Sequence, residues 1–214
     1  MSPDAGFPAD APGEAARGRS VPPRRDFPLP FALQQLSEAE PDLTPRPVSA
    51  SRVELTQVME IEHANNAGYV HGGTILRMVD GAAGIAAIKH SRRRVVTAAI
   101  DEMSFLAPAF IGDVVTVRAS VNDVHRTSME VGVTVEVETL PLGQRHHVAS
   151  AHLVFVALDA DGRPTPVAPI IAETEEERLR QAEARVRREQ RLLRKAALRQ
   201  AGEERTTLGG EEQS

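Results

Sequence analysis

The sequence predicts an α+β domain in which a single helix packs against a curved antiparallel sheet. Three observations predict it. One strongly apolar helical stretch stands between a first strand-like segment and four more, two of the later strands alternate apolar and polar residues, and the links between strands are short turns that favour hairpins.

The chain divides into three zones. Residues 1–49 are crowded with Pro, Ala, Gly and charge (Pro3, Pro8, Pro12, Pro22, Pro23, Pro28, Pro30), with too little periodic apolar content to offset the entropy of ordering, so a disordered tail is expected. Its one apolar island, Phe27 to Leu33, either docks on the domain or is a sticky linker. Residues 50–172 hold nearly all of the β signal and form the domain. Val53 to Met59 alternates like a half-buried strand, and a loop follows from Glu60 to Val70. Gly72 to Ile88 reads as a helix, small and apolar on nearly every side, which predicts that other elements wrap it. After Arg92-Arg93-Arg94 come Val95 to Phe105, Val114 to Val124, Ser128 to Glu138 and His147 to Leu158. Val115, Val117, Ala119 and Val121 oppose Thr116, Arg118, Ser120 and Asn122, and Val131 to Val137 repeat the pattern. Turns at Ile111-Gly112-Asp113, Pro141-Leu142-Gly143 and Asp159 to Gly162 separate or close the strands. Residues 173–214 open on Thr174-Glu175-Glu176-Glu177, a capping box at the start of a helix that ends in arginines. Leu179, Ala182, Val186, Leu193 and Ala197 give it only a thin apolar stripe. It reads as a solvated charged helix, or alternatively as one closing on a neighbouring subunit.

Composition bounds the chemistry. A chain of 214 residues with 41% hydrophobic and 26% charged residues falls in the ordinary globular range. A net charge of -5 gives no general reason to expect nucleic acid or an anionic membrane as partner. The absence of cysteine excludes disulfides, thiolate metal sites and a cysteine nucleophile. Met1 to Gly18 lacks the charged start and apolar core of a secretory signal, and no run is apolar enough to span a bilayer, so a cytoplasmic location is expected.

Asp80 is the most informative residue, because a carboxylate within an apolar helix loses hydration that a partner or a wet cavity must replace. Either it pairs with Arg77 or turns to solvent at a ragged helix edge, or it is a general base or nucleophile facing a substrate. Just before the helix, Ala64-Asn65-Asn66-Ala67-Gly68-Tyr69-Val70-His71-Gly72-Gly73 delivers two glycines to its N-terminus. Free amides there are suited to a carbonyl oxygen gaining negative charge, although a tight turn into a buried helix would use the same glycines.

Asn65, six residues before His71-Gly72-Gly73, together with Asp80, seven after Gly73, resembles the signature of hotdog-fold acyl-CoA thioesterases of the brain-type and YciA-like branch. Val95 to Pro108, Ile111 to Val115, Arg126-Thr127-Ser128-Met129 and Phe155 to Asp159 extend the resemblance in order, from about Val53 to Pro169. Tyr69 departs from it, where many relatives carry Asn or Asp, as does Asn66, where Pro or Ala is frequent; both concern pocket shape. The resemblance implies a helix wrapped by an antiparallel sheet, units joined edge to edge as dimers, three dimers in a hexamer, and active sites between paired subunits. It implies that Asn65 orients water or substrate, that Asp80 reaches in from the partner subunit as base or nucleophile, and that the amides of Gly72 and Gly73 polarise the thioester carbonyl. His71 and Tyr69 would shape the pocket. Among basic and hydroxyl residues, Arg92, Arg93, Arg94, Arg126, Thr127 and Ser128 are candidates for the CoA phosphates, or are solvated surface. His146 and His147 project to opposite sides of a strand with no third ligand, which argues against zinc.

The expected activity is hydrolysis of acyl-CoA to fatty acid and CoA without metal or redox cofactor, since a thioester is reactive enough for one carboxylate and a polarised carbonyl. Three alternatives stand beside it: a non-catalytic acyl-CoA sensor, for which the N-terminal zone offers no helix-turn-helix pattern; a hydratase or dehydratase, which would want an Asp and His pair; and an interaction protein with vestigial catalysis.

Overall fold

The structure, a computed structural model, describes residues 40–211, with side chains through residue 201. The island from Phe27 to Leu33 lies outside the described residues. Five strands, β2 (Val53–Val58), β3 (Arg94–Phe105), β4 (Val114–His125), β5 (Ser128–Thr139) and β6 (Gln144–Leu158), form one antiparallel sheet in the order β2-β4-β5-β6-β3. Two hairpin links put β4, β5 and β6 side by side, while the long excursion through the helix carries β3 to the far edge. The alternation read in the sequence decides the faces. Val115, Val117, Val121, Val131, Val135 and Val137 are fully buried, whereas Thr116, Arg118, Thr134 and Glu136 point to the outer face. Register shifts between Thr97 and Ala99 and between Ile100 and Glu102 bend the edge strand β3.

Helix α1 (Gly72–Ser91) lies in the concave face. Its buried stripe of Ile75, Met78, Val79, Ala82, Ala83, Ala86, Ala87 and His90 is built mostly of small side chains, which lets the sheet approach closely. The sheet wraps this helix as expected, but from one side only, and the expectation that the helix lies buried is corrected. Gly73, Arg77, Asp80, Gly81, Ile85 and Lys89 are exposed, because one sheet covers one side of a cylinder and nothing in the described chain covers the other.

The fold reaches outside residues 50–172 at both ends. Strand β1 (Arg46–Pro47) pairs in parallel with β7 (Ile170–Ile171), and Val48 is buried, so residues assigned to the tail already belong to the packed structure. The signal was invisible because two-residue strands carry no period. Helix α2 (Glu175–Glu211) starts at the capping box: the Glu177 amide donates to Thr174 Oγ1 at 3.2 Å, and the Thr174 amide donates to Glu177 Oε2 at 3.2 Å. Its first turns are docked and not merely solvated. Glu177 and Ala184 are buried, and Arg187 donates to the buried Glu130 at 2.7 Å. Charged side chains supply this docking, which is why a search for an apolar stripe missed it.

His90 ties the two ends to the core. Its Nε2–H donates to the Ala168 carbonyl at 2.8 Å, and its own carbonyl accepts from Arg46 Nη1 at 2.6 Å. The remaining ring nitrogen, Nδ1, is buried without a partner, so protonating it would place an unsatisfied N–H beside a guanidinium. Burial, with the Arg46 charge adding to it and the Ala168 carbonyl opposing it, pushes the imidazole below its ordinary value. Because the unfolded chain then takes up the proton first, this contribution to stability is complete above about pH 6.5 and is lost as the pH falls from there through the lowered folded value. Burial shifts His152 in the same direction. The midpoint of urea unfolding should therefore fall between pH 7.5 and 5.5, and His90→Gln should reduce that slope; an equal slope in the variant would remove His90 as its cause.

Candidate active site

The loop before α1 is tightly folded. A 3-10 turn at Ile61–His63 leads to an isolated bridge between Ala64 and Val70, inside which Gly68 adopts a positive φ of 83° that suits glycine. Asn65 organises this turn: its side-chain oxygen accepts from the amides of Ala67 at 2.8 Å and Tyr69 at 3.2 Å. That engagement leaves the amide NH2 of Asn65, which is half-buried, as the end able to meet another group. Tyr69 is 42% exposed and stands edge-on to Phe110 with ring centroids 5.4 Å apart.

At the start of α1, His71 is the N-cap, and its Nδ1 accepts from the Gly73 amide at 2.9 Å while its carbonyl accepts from Thr74 at 2.8 Å. Two of the first-turn amides are thus already satisfied. The expectation that both Gly72 and Gly73 offer free amides is corrected: among the described residues only the Gly72 amide of this pair is without a partner. The glycines also differ sterically. A Cβ on Gly73 would stand 2.9 Å from His71 Nδ1, whereas one on Gly72 would meet Phe105 Cζ at an ordinary 3.6 Å. Gly73 is glycine because the histidine cap needs its space.

Asp80 lies on the open side of α1, where Thr97 of β3 donates its hydroxyl to Oδ1 at 2.8 Å. It forms no ion pair with Arg77 among the described residues. Thr97 was not singled out in the sequence, although its place in the strand that follows the helix was a signal, because nothing there shows which strand residue faces the carboxylate. On the Thr97 side of β3 and on the open side of α1 apolar surface is exposed as well: Ile85, Ile100 and Phe105 are between 42% and 54% exposed.

Within one chain the parts do not meet. Gly72 and Asp80 are eight residues apart on α1, about 12 Å along a helix axis. A carboxylate and an oxyanion donor acting on one carbonyl must both come within about 3.5 Å of it. A second chain, with its helix running the opposite way, would bring the Asp80 of one copy to the loop of the other.

The basic candidates separate. Arg93 and Arg94 are 4% and 9% exposed, and Arg94 Nη2 donates to the Asp159 carbonyl at 2.7 Å; a surface phosphate clamp is not what they form in this chain. Arg92 is the C-cap of α1 and pairs with Asp42 at 3.5 Å. Arg126, in contrast, is exposed at the turn between β4 and β5, beside the half-buried Thr127 and Ser128. Ser128 pairs with Val156, and Val156 with Val96, so this turn is level with Thr97 and two strands away, about 10 Å. A cavity of about 560 Å³ opens on the opposite, outer face of the sheet, but its cations Arg52, Arg118 and Arg180 are each paired with glutamate. No cluster able to hold a metal ion occurs among the described residues.

Residues 67–143 match the model of the thioesterase superfamily. The chain is 42% identical over 113 residues to an uncharacterised acyl-CoA thioester hydrolase, YkhA, of Bacillus subtilis, covering 53% of this chain and 66% of that one. It spans 40% of the mammalian cytosolic acyl coenzyme A thioester hydrolases that it matches. Its fold is similar to that of a hexameric acyl-CoA thioesterase, with a TM-score of 0.70 and 36% identity, covering 72% of this chain and 98% of that one. It is also similar to a Staphylococcus aureus acyl-CoA hydrolase solved with butyryl coenzyme A, with a TM-score of 0.69 and 30% identity, covering 74% and 96%. Solved alanine variants of that enzyme replace an asparagine, an aspartate fifteen residues after it, and a threonine a further seventeen on. Asn65, Asp80 and Thr97 stand at the same two intervals here.

The two glycines should respond differently to a methyl group. Gly73→Ala is expected to displace the His71 cap and cost about 1 kcal/mol of stability, while Gly72→Ala should leave the urea midpoint close to that of the parent. Equal midpoints for both variants would contradict the assignment of the cap.

Proposed function

The chain belongs to the hotdog-fold thioesterase superfamily, and from that premise we propose that it hydrolyses acyl-CoA thioesters to CoA and the free acid at sites shared between two subunits. The observation that carries this reading is Asp80: a carboxylate held by Thr97 on the uncovered side of an otherwise apolar helix, beside apolar surface suited to an acyl chain.

The dimer that completes the site follows from the edge strand. β3 is 12 residues long, lies at the sheet edge and exposes Val96, Ile100 and Phe105. A long apolar edge of this kind is a template for pairing with another strand. Antiparallel pairing of β3 with its copy sets the two α1 helices side by side in opposite directions, so that Asp80 of one faces the Asn65 and Gly72 loop of the other. Assembly of three such dimers is compatible with the hexameric relative.

In the shared site the thioester oxygen accepts from the Gly72 amide at the positive end of α1. Asn65, through its NH2, positions the water or the acyl group. Asp80 either removes a proton as water adds to the carbonyl carbon or adds to that carbon itself, giving an anhydride that water opens. In both routes the C–S bond breaks, the CoA thiolate leaves and is protonated, and the carboxylate of Asp80 is regenerated. Arg126, with Thr127 and Ser128, holds the CoA phosphates. The reaction calls for no metal or redox cofactor.

Asp80→Asn should lower the rate of free-thiol release from a panel of acyl-CoAs by a factor on the order of 100 to 10,000. An unchanged rate would remove Asp80 from the mechanism. Thr97→Val, which frees the carboxylate to rotate, should lower kcat by about tenfold with a smaller change in KM, since it loosens a catalytic group by roughly 1.4 kcal/mol and removes no substrate contact.

A further inference from the structure

Helix α2 crosses the whole sheet and then runs past its edge. Its polar contacts step across the outer face in strand order. Glu177 meets Arg52, which leads into β2, at 2.8 Å; Gln181 meets Asp123 of β4 at 2.9 Å; Arg187 meets Glu130 of β5 at 2.7 Å; and Arg191 meets Asp101 of β3. From β2 to β3 there are four interstrand steps, about 19 Å. From Glu177 to Arg191 there are fourteen residues of helix, about 21 Å. The two lengths agree, so the helix axis runs nearly perpendicular to the strands and reaches the rim of β3 at Arg191.

The helix nevertheless continues to Glu211, twenty residues further and about 30 Å beyond the rim of its own sheet. Leu192, Leu193 and Leu198 in this extension are 49%, 71% and 65% exposed. The stripe that faces the sheet in the docked half, Glu177, Gln181, Ala184, Arg188 and Arg191, continues at helical spacing into Lys195, Leu198 and Arg199. Lys195 is four residues past Arg191, about 6 Å, which is close to one more strand spacing. The rim carries an acid to meet such cations: Glu102 is exposed and lies near enough to His152 on the outer face to raise its proton affinity.

We infer that the part of α2 beyond Arg191 lies across the outer sheet face of a second copy of this chain and clasps the dimer formed at β3. The inference rests on the edge-to-edge pairing proposed above. The extension starts where β3 ends the sheet, its length is sufficient for a further five-stranded sheet, and its underside is cationic where the neighbouring rim is acidic. By the twofold symmetry of such a dimer each helix straddles the joint, so the two clasps act in parallel on the strand pairing that builds both active sites.

A chain ending at Arg191 keeps all four anchoring contacts and tests the clasp; Ile100→Lys, at an exposed position of β3, tests the strand pairing. Dissociation constants of the dimer would be measured by sedimentation equilibrium for the full chain and both variants, with folding checked by circular dichroism. Truncation should weaken the dimer by at least tenfold, and Ile100→Lys should yield monomers. A truncated chain whose constant stays within twofold of the parent, while Ile100→Lys dissociates, overturns the clasp and leaves the edge pairing standing. If neither variant changes the constant, the edge pairing fails and the clasp fails with it.

Discussion

A helix packed against one sheet has a second side, and in this chain that second side holds the carboxylate. The concave face of the sheet takes up Ile75, Met78, Val79 and the alanines of α1, and the small size of those residues brings the strands close. Asp80 projects from the opposite side, where Thr97 at the sheet edge fixes its orientation. Burying it against the sheet would have required a charged partner in a valine-lined interior. Exposing it keeps it hydrated and accessible from outside the chain.

Under the proposed mechanism the same geometry makes one chain insufficient alone. Glycines and a histidine cap prepare the N-terminus of α1, yet Asp80 stands about 12 Å down the same axis. In the proposed dimer each chain offers half of two sites. The edge strand β3 is suited to join them in that dimer, because it is apolar at Val96, Ile100 and Phe105 and free of proline. Helix α2 belongs to the same design at longer range: its salt bridges read across the sheet to Asp101, on the strand that also carries Thr97. The proposed strand pairing, the partner of the Asp80 carboxylate and the last anchor of the outer helix thus converge on one strand.

Much of the fold is legible in the residues. The valine alternation of β4 and β5 names its own buried face, the turns at Gly112 and Gly143 carry positive φ, and Thr174 with Glu177 forms the capping box that the spacing predicts. What the sequence obscures shares a physical cause, namely dependence on contacts that no period encodes. An apolar helix reads as buried throughout, although Asp80, Gly81 and Ile85 stand on a side that the described chain leaves uncovered. Three consecutive arginines read as a surface patch, although Arg94 turns inward to carbonyls of the turn after β6 and Arg93 is buried. A stripe of arginines and glutamates reads as solvated, although Arg187 and Glu130 form a half-sealed pair between helix and sheet. Thr97 is one of many strand threonines until the register places it beside Asp80.

The claim that each site is built from two chains can be tested by mixing two inactive proteins. Asp80→Asn and Asn65→Ala each disable every site in their own dimers, but a mixed dimer retains one site with Asp80 from one chain and Asn65 from the other. After dissociation and reassembly of an equal mixture, free-thiol release should recover to about one quarter of the parent rate, as random pairing in a twofold dimer requires. A mixture that exchanges subunits yet stays as inactive as its components would place the whole site within one chain and contradict the account.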